Sequence, residues 1–273
     1  MNATTIDGFE RTTGQRAGGR LLGLRNLVRK DLLDWRHGNR TWIVAVATTA
    51  VVALGAANAA INQWVLSSFP AEAGDGPAKL LSLGANDNLL AGIATQFGVL
   101  AVIFATMSLL IAERESGTLA WTISKPVSRT SVLLSKWLTA TVVLWVVAFV
   151  IPIAITAGLV TLLYGAPDVP VVIALVVASI TVPALFVGIA LVASTYVSNQ
   201  AAVGAIGLAL FILPSIAGGI VPAATPLFPT SIFGWVVDVS TGGALSLVTP
   251  AAWAIGMAVL FMLGRRRLAD MDL

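Results

Sequence analysis

Six stretches of this chain are apolar over about 20 residues or more, and nothing else in it limits the fold so tightly. A helix of roughly 20 apolar residues crosses a hydrocarbon core about 30 Å thick. The stretches are Trp42–Ile61, Leu89–Ala112, Trp137–Leu163, Val171–Ala193, Ala201–Val221 and Ala244–Gly264. The far end of the fifth is interrupted by Pro214, Pro222, Pro226 and Pro229. None alternates in polarity over about ten residues, as barrel strands do. Only 11% of the 273 residues are charged, against about a quarter in soluble domains, so the apolar surplus is too large to be core. The expected fold is an all-α integral membrane protein with six transmembrane helices.

Lys and Arg in the flanks set the orientation. Eight precede the first span, four lie between the second and third, three follow the sixth, and Lys79 alone lies opposite. Both termini are therefore expected in the cytosol, in the plasma membrane of a prokaryote. Residues 1–40 hold no uninterrupted apolar run, so no cleavable signal peptide is expected. Residues 1–19, rich in Thr, Gly and Arg, read as a disordered tail, and 20–273 as a single transmembrane domain. With zero Cys, disulfides, thiolate metal sites and cysteine catalysis are excluded.

The interiors of the spans carry no Asp, Glu, Lys, Arg or His. Proton-coupled transport and intramembrane hydrolysis use such groups at mid-depth, so neither is expected, and no catalytic or metal-binding residue is assigned. Asn58, Asn62, Gln63 and Gln96 read as interhelical hydrogen-bonding groups or substrate contacts. Two stripes of small residues allow close helix approach: Ala45, Thr49, Ala53 and Ala57, and Ala201, Ala205 and Ala209. They fit packing within one bundle or a dimer seam between two chains. Pro152, Pro183 and Pro214 should kink their helices. The outer segment 222–243 is apolar but repeatedly broken by proline. It reads either as an interfacial loop anchored by Phe228, Phe233 and Trp235, or as a pair of short re-entrant helices.

Two features mark the cytosolic side. Residues 20–40 form an amphipathic helix, with Leu24, Leu27, Val28 and Trp35 on its apolar face and basic residues elsewhere, suited to the headgroup region. The segment Glu113–Lys136, ERESGTLAWTISKPVSRTSVLLSK, is the only long charged stretch between spans. The second helix should run on through Glu113-Arg114-Glu115. Ser116-Gly117-Thr118 should turn and cap a short helix, Leu119–Ser124, which Lys125-Pro126 ends, and Ser128 or Thr130 should cap the next. On composition alone this is an inert charged loop or a lever across the ends of two spans.

Glu115, Gly117, Thr118, Leu119, Pro126, Arg129, Leu133, Leu134 and Lys136 fall where membrane subunits of type-2 ATP-binding-cassette (ABC) exporters place an acidic residue, Gly-Thr, Pro, Arg and Leu-Leu-x-Lys. The chain resembles that family over about residues 24–267, in particular permeases similar to the nitrous-oxide-reductase maturation permease and to sodium, bacitracin and drug exporters. Arg29-Lys30-Asp31 before the first span and Pro229–Phe233 before the sixth also fit. The resemblance implies that 113–124 is a coupling helix docking on a separate ATPase. The contacts would be Glu113, Arg114, Glu115, Gly117, Thr118, Leu119, Lys125, Pro126 and Arg129. No GxxxxGK[ST] phosphate loop is present, so ATP and Mg would be bound by two copies of the partner. A second permease chain, identical or a close paralogue, would complete the pathway. A chain that passes ATP-driven motion to an extracytoplasmic partner without moving a solute is the alternative, and an ATP-independent channel is a third.

Overall fold

Long runs of Leu, Val, Ala and Ile without period-2 alternation leave the backbone one way to satisfy its polar groups away from water, the helix. The computed structural model describes residues 21, 23–39, 41–50, 64, 68, 95–125, 127–220 and 231–269, and every regular element among them is helical. Helices α1 (Leu24–His37), α2 (Thr41–Ala50), α3 (Thr95–Thr106), α4 (Ile111–Glu115) and α5 (Thr118–Ile123) come first. A continuous helix follows in three parts: α6 (Arg129–Trp145), a π-helical turn (Val146–Val150) and α7 (Ile151–Tyr164). The rest are α8 (Val169–Tyr196), α9 (Gln200–Ile220), α10 (Ser231–Ser240) and α11 (Val248–Ala269).

Three of these are long and apolar enough to cross a membrane: Arg129–Leu162, Val169–Tyr196 and Val248–Leu268. The expected first span is described only over 41–50 and the second only from 95, so Asn58, Asn62, Gln63, Ala53 and Ala57 lie outside the described residues, as do 222–230 with Phe228. The sixth helix starts at Val248, four residues later than expected. The positive-φ Gly242 and the irregular stretch 243–247 behind it hold the chain out of the helix, and Ser246 Oγ accepts from the Val248 N–H (3.4 Å).

Helix α8 is the hub. It packs against α3, α6, α9, α10 and α11, and all residues from Thr181 to Leu191 are buried. A helix apolar on every face, as this one is, has no solvent side to present. Two indoles of α6 fix it near the Pro183 interruption. Trp137 Nε1 donates to the Ala184 carbonyl (2.7 Å) and Trp145 Nε1 to Ser179 Oγ (3.1 Å). Trp137 also stacks on Phe261 of α11, with centroids 5.5 Å apart.

Pro152 acts through the turn before it. Lacking an N–H, it cannot donate back to the preceding turn, and Val146–Val150 widens into π geometry. Thr48 of α2 donates to the Val147 carbonyl there (3.3 Å). Gly98 of α3 lies against the same turn, where a Cβ would come 3.2 Å from the Ala148 carbonyl oxygen.

Within α9, the contact with α3 is made by glycines rather than by the expected alanines. A Cβ on Gly204 would lie 3.2 Å from Met107 Sδ, and one on Gly207 3.1 Å from Ile103. Ala201, Ala205 and Ala209 point away and are exposed. The contact of this helix with α3 therefore runs along the glycines and not along the alanine stripe.

Part of the proline-rich segment is helical. Ile232, Trp235, Val236 and Val239 of α10 form one buried face against α8 and α11, and Trp253 Nε1 donates to Ser231 Oγ (2.8 Å). Trp235 is an inward-facing core residue, not the interfacial anchor that its apolar, proline-broken surroundings predict.

Candidate functional site

The charged segment is built at the end of the bundle where α1, the start of α6 and the last turns of α8 and α11 meet. Helix α3 does not run unbroken into it. Thr106 Oγ1 bonds back to the Val102 and Ile103 carbonyls (2.7 and 3.3 Å), competing with the ladder as mid-helix threonines do. Leu109 N–H then bonds to Thr106 O in a tighter turn (3.1 Å), and the helix restarts as α4. The expected continuous extension is thus a separate short rod.

After α4 the chain turns at Gly117, in the left-handed region at φ 70, where L side chains are disfavoured by about 1–2 kcal/mol. The short helix begins at Thr118 and ends at Ile123, one residue earlier at each end than its sequence predicts. Its N-cap is Gly117 without a side-chain bond. Ser116 and Thr118 hydroxyls instead both donate to Glu113 O (3.4 and 3.3 Å), closing the end of α4. Ser128 caps α6 as its position predicts, accepting from the Ser131 N–H at 3.0 Å.

The residues named as partner contacts divide into two sets. Glu115, Gly117, Thr118 and Lys125 are exposed. Leu119 is completely buried and Glu113, Arg114 and Arg129 are half-buried. Both arginines bond inward. Arg114 Nη1 donates to the Ser194 carbonyl (3.1 Å) and Arg129 Nη1 to that of Leu268 (2.7 Å), near the C-terminal ends of α8 and α11. Cations there complement the unpaired carbonyls and the negative end of the helix dipole. Pro126 lies outside the described residues.

The outward face contains a residue absent from the sequence expectation. Trp121 is 63% exposed, and Lys125 Nζ lies 3.4 Å from its ring centroid. Its signal in the sequence is a lone aromatic inside a polar segment.

Behind this face lies an ion cluster. Lys136 Nζ is 2.7 Å from Glu113 Oε1 and 3.9 Å from Asp31 Oδ1. Lys30 Nζ is 3.3 Å from Glu113, 3.8 Å from Asp31 and 3.5 Å from Asp34. Asp31 sits between Leu27 and Trp35 on the stripe of α1 that packs against α6, and all three are buried. Leu24 and Val28 flank that stripe and are half-buried. A carboxylate at the i+4 position of an apolar stripe was the legible sign of this cluster. Burial pushes the Asp31 carboxyl above its ordinary pKa, against the pull of Lys136, the Ser135 hydroxyl and Lys30. For Lys30 burial pulls downward, but Glu113, Asp31 and Asp34 outweigh it and raise its pKa. A cavity of about 530 Å³ adjoins the cluster, lined in part by Asp31, Trp35, Ser108, Glu113 and Lys136.

The model of the ABC-2 family transporter proteins matches residues 25–263, nearly the whole chain. The chain belongs to the ABC-2 transporter family. No curated protein matches it. Membership makes this ABC-2 protein the membrane subunit of an ABC transporter, a multi-pass permease distinct from the ATPase with which such subunits work. The matched region contains the ion cluster, α4, α5, two of the three long apolar helices and most of the third.

Proposed function

We propose that this chain is the permease of a type-2 ABC exporter, driven by a separate ATPase through α4 and α5. One observation carries the reading. The segment presents Glu115, Thr118, Trp121 and Lys125 outward, while Arg114, Leu119 and Arg129 tie it to the bundle. A load applied to Trp121 therefore reaches α8 and α11 directly.

Six spans with both termini in the cytosol agree with the clustering of basic residues at one end of the bundle. Arg114, Arg129, Lys136 and Arg267 contact, respectively, the ends of α8 and α11, α1, and Tyr196. The exposed Ala201, Ala205 and Ala209 leave α9 a smooth face for a second permease chain. Two ATPase subunits would bind ATP and Mg. The span interiors lack charge, which favours an apolar or amphipathic cargo.

The test is reconstitution of the chain with its ATPase in proteoliposomes. ATP-dependent movement of an amphipathic reporter across the bilayer is the expected result. ATP hydrolysis with no reporter movement, but with ATP-dependent change in a bound extracytoplasmic protein, would replace export by force transmission.

A further inference from the structure

Both lysines of the ion cluster lean the same way. Lys136 is 2.7 Å from Glu113 and 3.9 Å from Asp31, and Lys30 is 3.3 Å from Glu113 and 3.8 Å from Asp31. Two cations thus crowd one carboxylate and leave the other underfilled. The underfilled one is the more buried, with side-chain exposure of 8% against 18%, and its Oδ2 accepts no hydrogen bond. A buried charged acceptor without its full set of donors is costly to keep. An acceptor open in one state of a moving protein is one that another state can fill.

The two carboxylates stand on different parts. Glu113 rides on α4, the root of the coupling segment, and Asp31 on α1, which packs along α6. Helix α4 is bounded by the broken turn after Thr106 and by the left-handed Gly117, so it is a short rod with a joint at each end. The cavity of about 530 Å³ touches Asp31, Glu113 and Lys136 together, so the groups have space beside them. Lys136 is buried with both carboxylates within 4 Å, so a shift from one to the other would not pass through an unpaired state.

We propose that Asp31 is the second seat of Lys136, so that displacement of α4 and α5 withdraws Glu113 and hands Lys136 over to Asp31. The cluster is then a two-position latch, with Asp31 and Glu113 as positioning residues for the stroke. The inference rests on the permease reading, since a bound ATPase supplies the displacement.

Neutralising the two carboxylates separates a latch from a static brace. Asp31→Asn and Glu113→Gln are close in shape to the native side chains and remove the same charge. In the permease–ATPase complex, Glu113→Gln is expected to raise basal ATP hydrolysis several-fold, because the resting seat is lost. Asp31→Asn is expected to lower it several-fold, because the second seat is lost. On the permease chain alone in nanodiscs, hydrogen exchange of the 118–123 amides is expected to rise several-fold in Glu113→Gln and to stay at the wild-type level in Asp31→Asn. Effects of the same sign in both variants, in either measurement, overturn the hand-over. A wild-type chain that holds no ATPase overturns the permease reading instead, and exchange on the chain alone still decides the latch.

Discussion

Lys136→Met is expected to destabilise the folded chain by about 3–5 kcal/mol, the range for removing one partner of a buried ion pair. Lys136 is 7% exposed and is the closest cation to Glu113. Without it, the cation left to Glu113 and the buried Asp31 among the described residues is Lys30, whose side chain is 45% exposed. Methionine fills much of the same volume, so the loss is of charge rather than packing. The effect has a pH signature. The Asp31 carboxyl already titrates above its ordinary value because of burial, and Lys136 is the strongest influence opposing that rise. Its folded state therefore holds a proton more tightly than the unfolded chain, and the stability this provides is complete at low pH. That stability is lost as pH rises through the folded pKa. In Lys136→Met the folded value moves further up, so the deficit is largest at neutral pH and shrinks on acidification. Unfolding in nanodiscs across an acid-to-neutral series measures this. A deficit that is constant with pH contradicts the assignment of Asp31 as the orphaned partner.

Trp121→Ala is expected to weaken binding of the ATPase by about 30-fold or more, corresponding to about 2 kcal/mol, while leaving the fold intact. Aromatic anchors carry a disproportionate share of interface energy, and Trp121 is the large apolar side chain on the outward face of α5. Lys125 over its ring holds the indole in one place and adds a cation for the partner surface. Because Trp121 is exposed, its removal opens no cavity. Titration of the purified ATPase onto nanodisc-held permease gives the ratio of affinities, and an unchanged affinity excludes Trp121 from the interface.

The helical architecture was legible because hydrophobic length survives any packing arrangement. The third, fourth and sixth stretches are recovered as the long apolar helices α6–α7, α8 and α11, and over the fifth lies the helix α9, whose apolar part is shorter. What failed was local. Thr106 is one threonine in an apolar run, and its break depends on a hydroxyl turning back to the Val102 carbonyl. The Ala201 stripe and the Gly204–Gly207 pair lie on the same helix with similar spacing. Only the position of α3 decides which one is packed. Likewise, spacing placed Leu119 and Glu115 in one segment, but the direction each faces depends on the Gly117 turn. Asp31 and Lys136 are 105 positions apart in a chain whose charges otherwise read as topology signals, so their pairing required α1 to be seated on α6.

Co-purification of the ATPase with Glu115→Arg/Gly117→Trp tests the central claim most directly. Glu115 is exposed, and a Cβ at Gly117 meets no atom within 4 Å, so both new side chains stand on the outward face. The left-handed backbone at 117 adds about 1–2 kcal/mol of local strain, too little to prevent insertion of the spans. The account predicts a membrane-inserted, folded permease that no longer retains the ATPase held by the wild type. Retention of the ATPase at the wild-type level would contradict it.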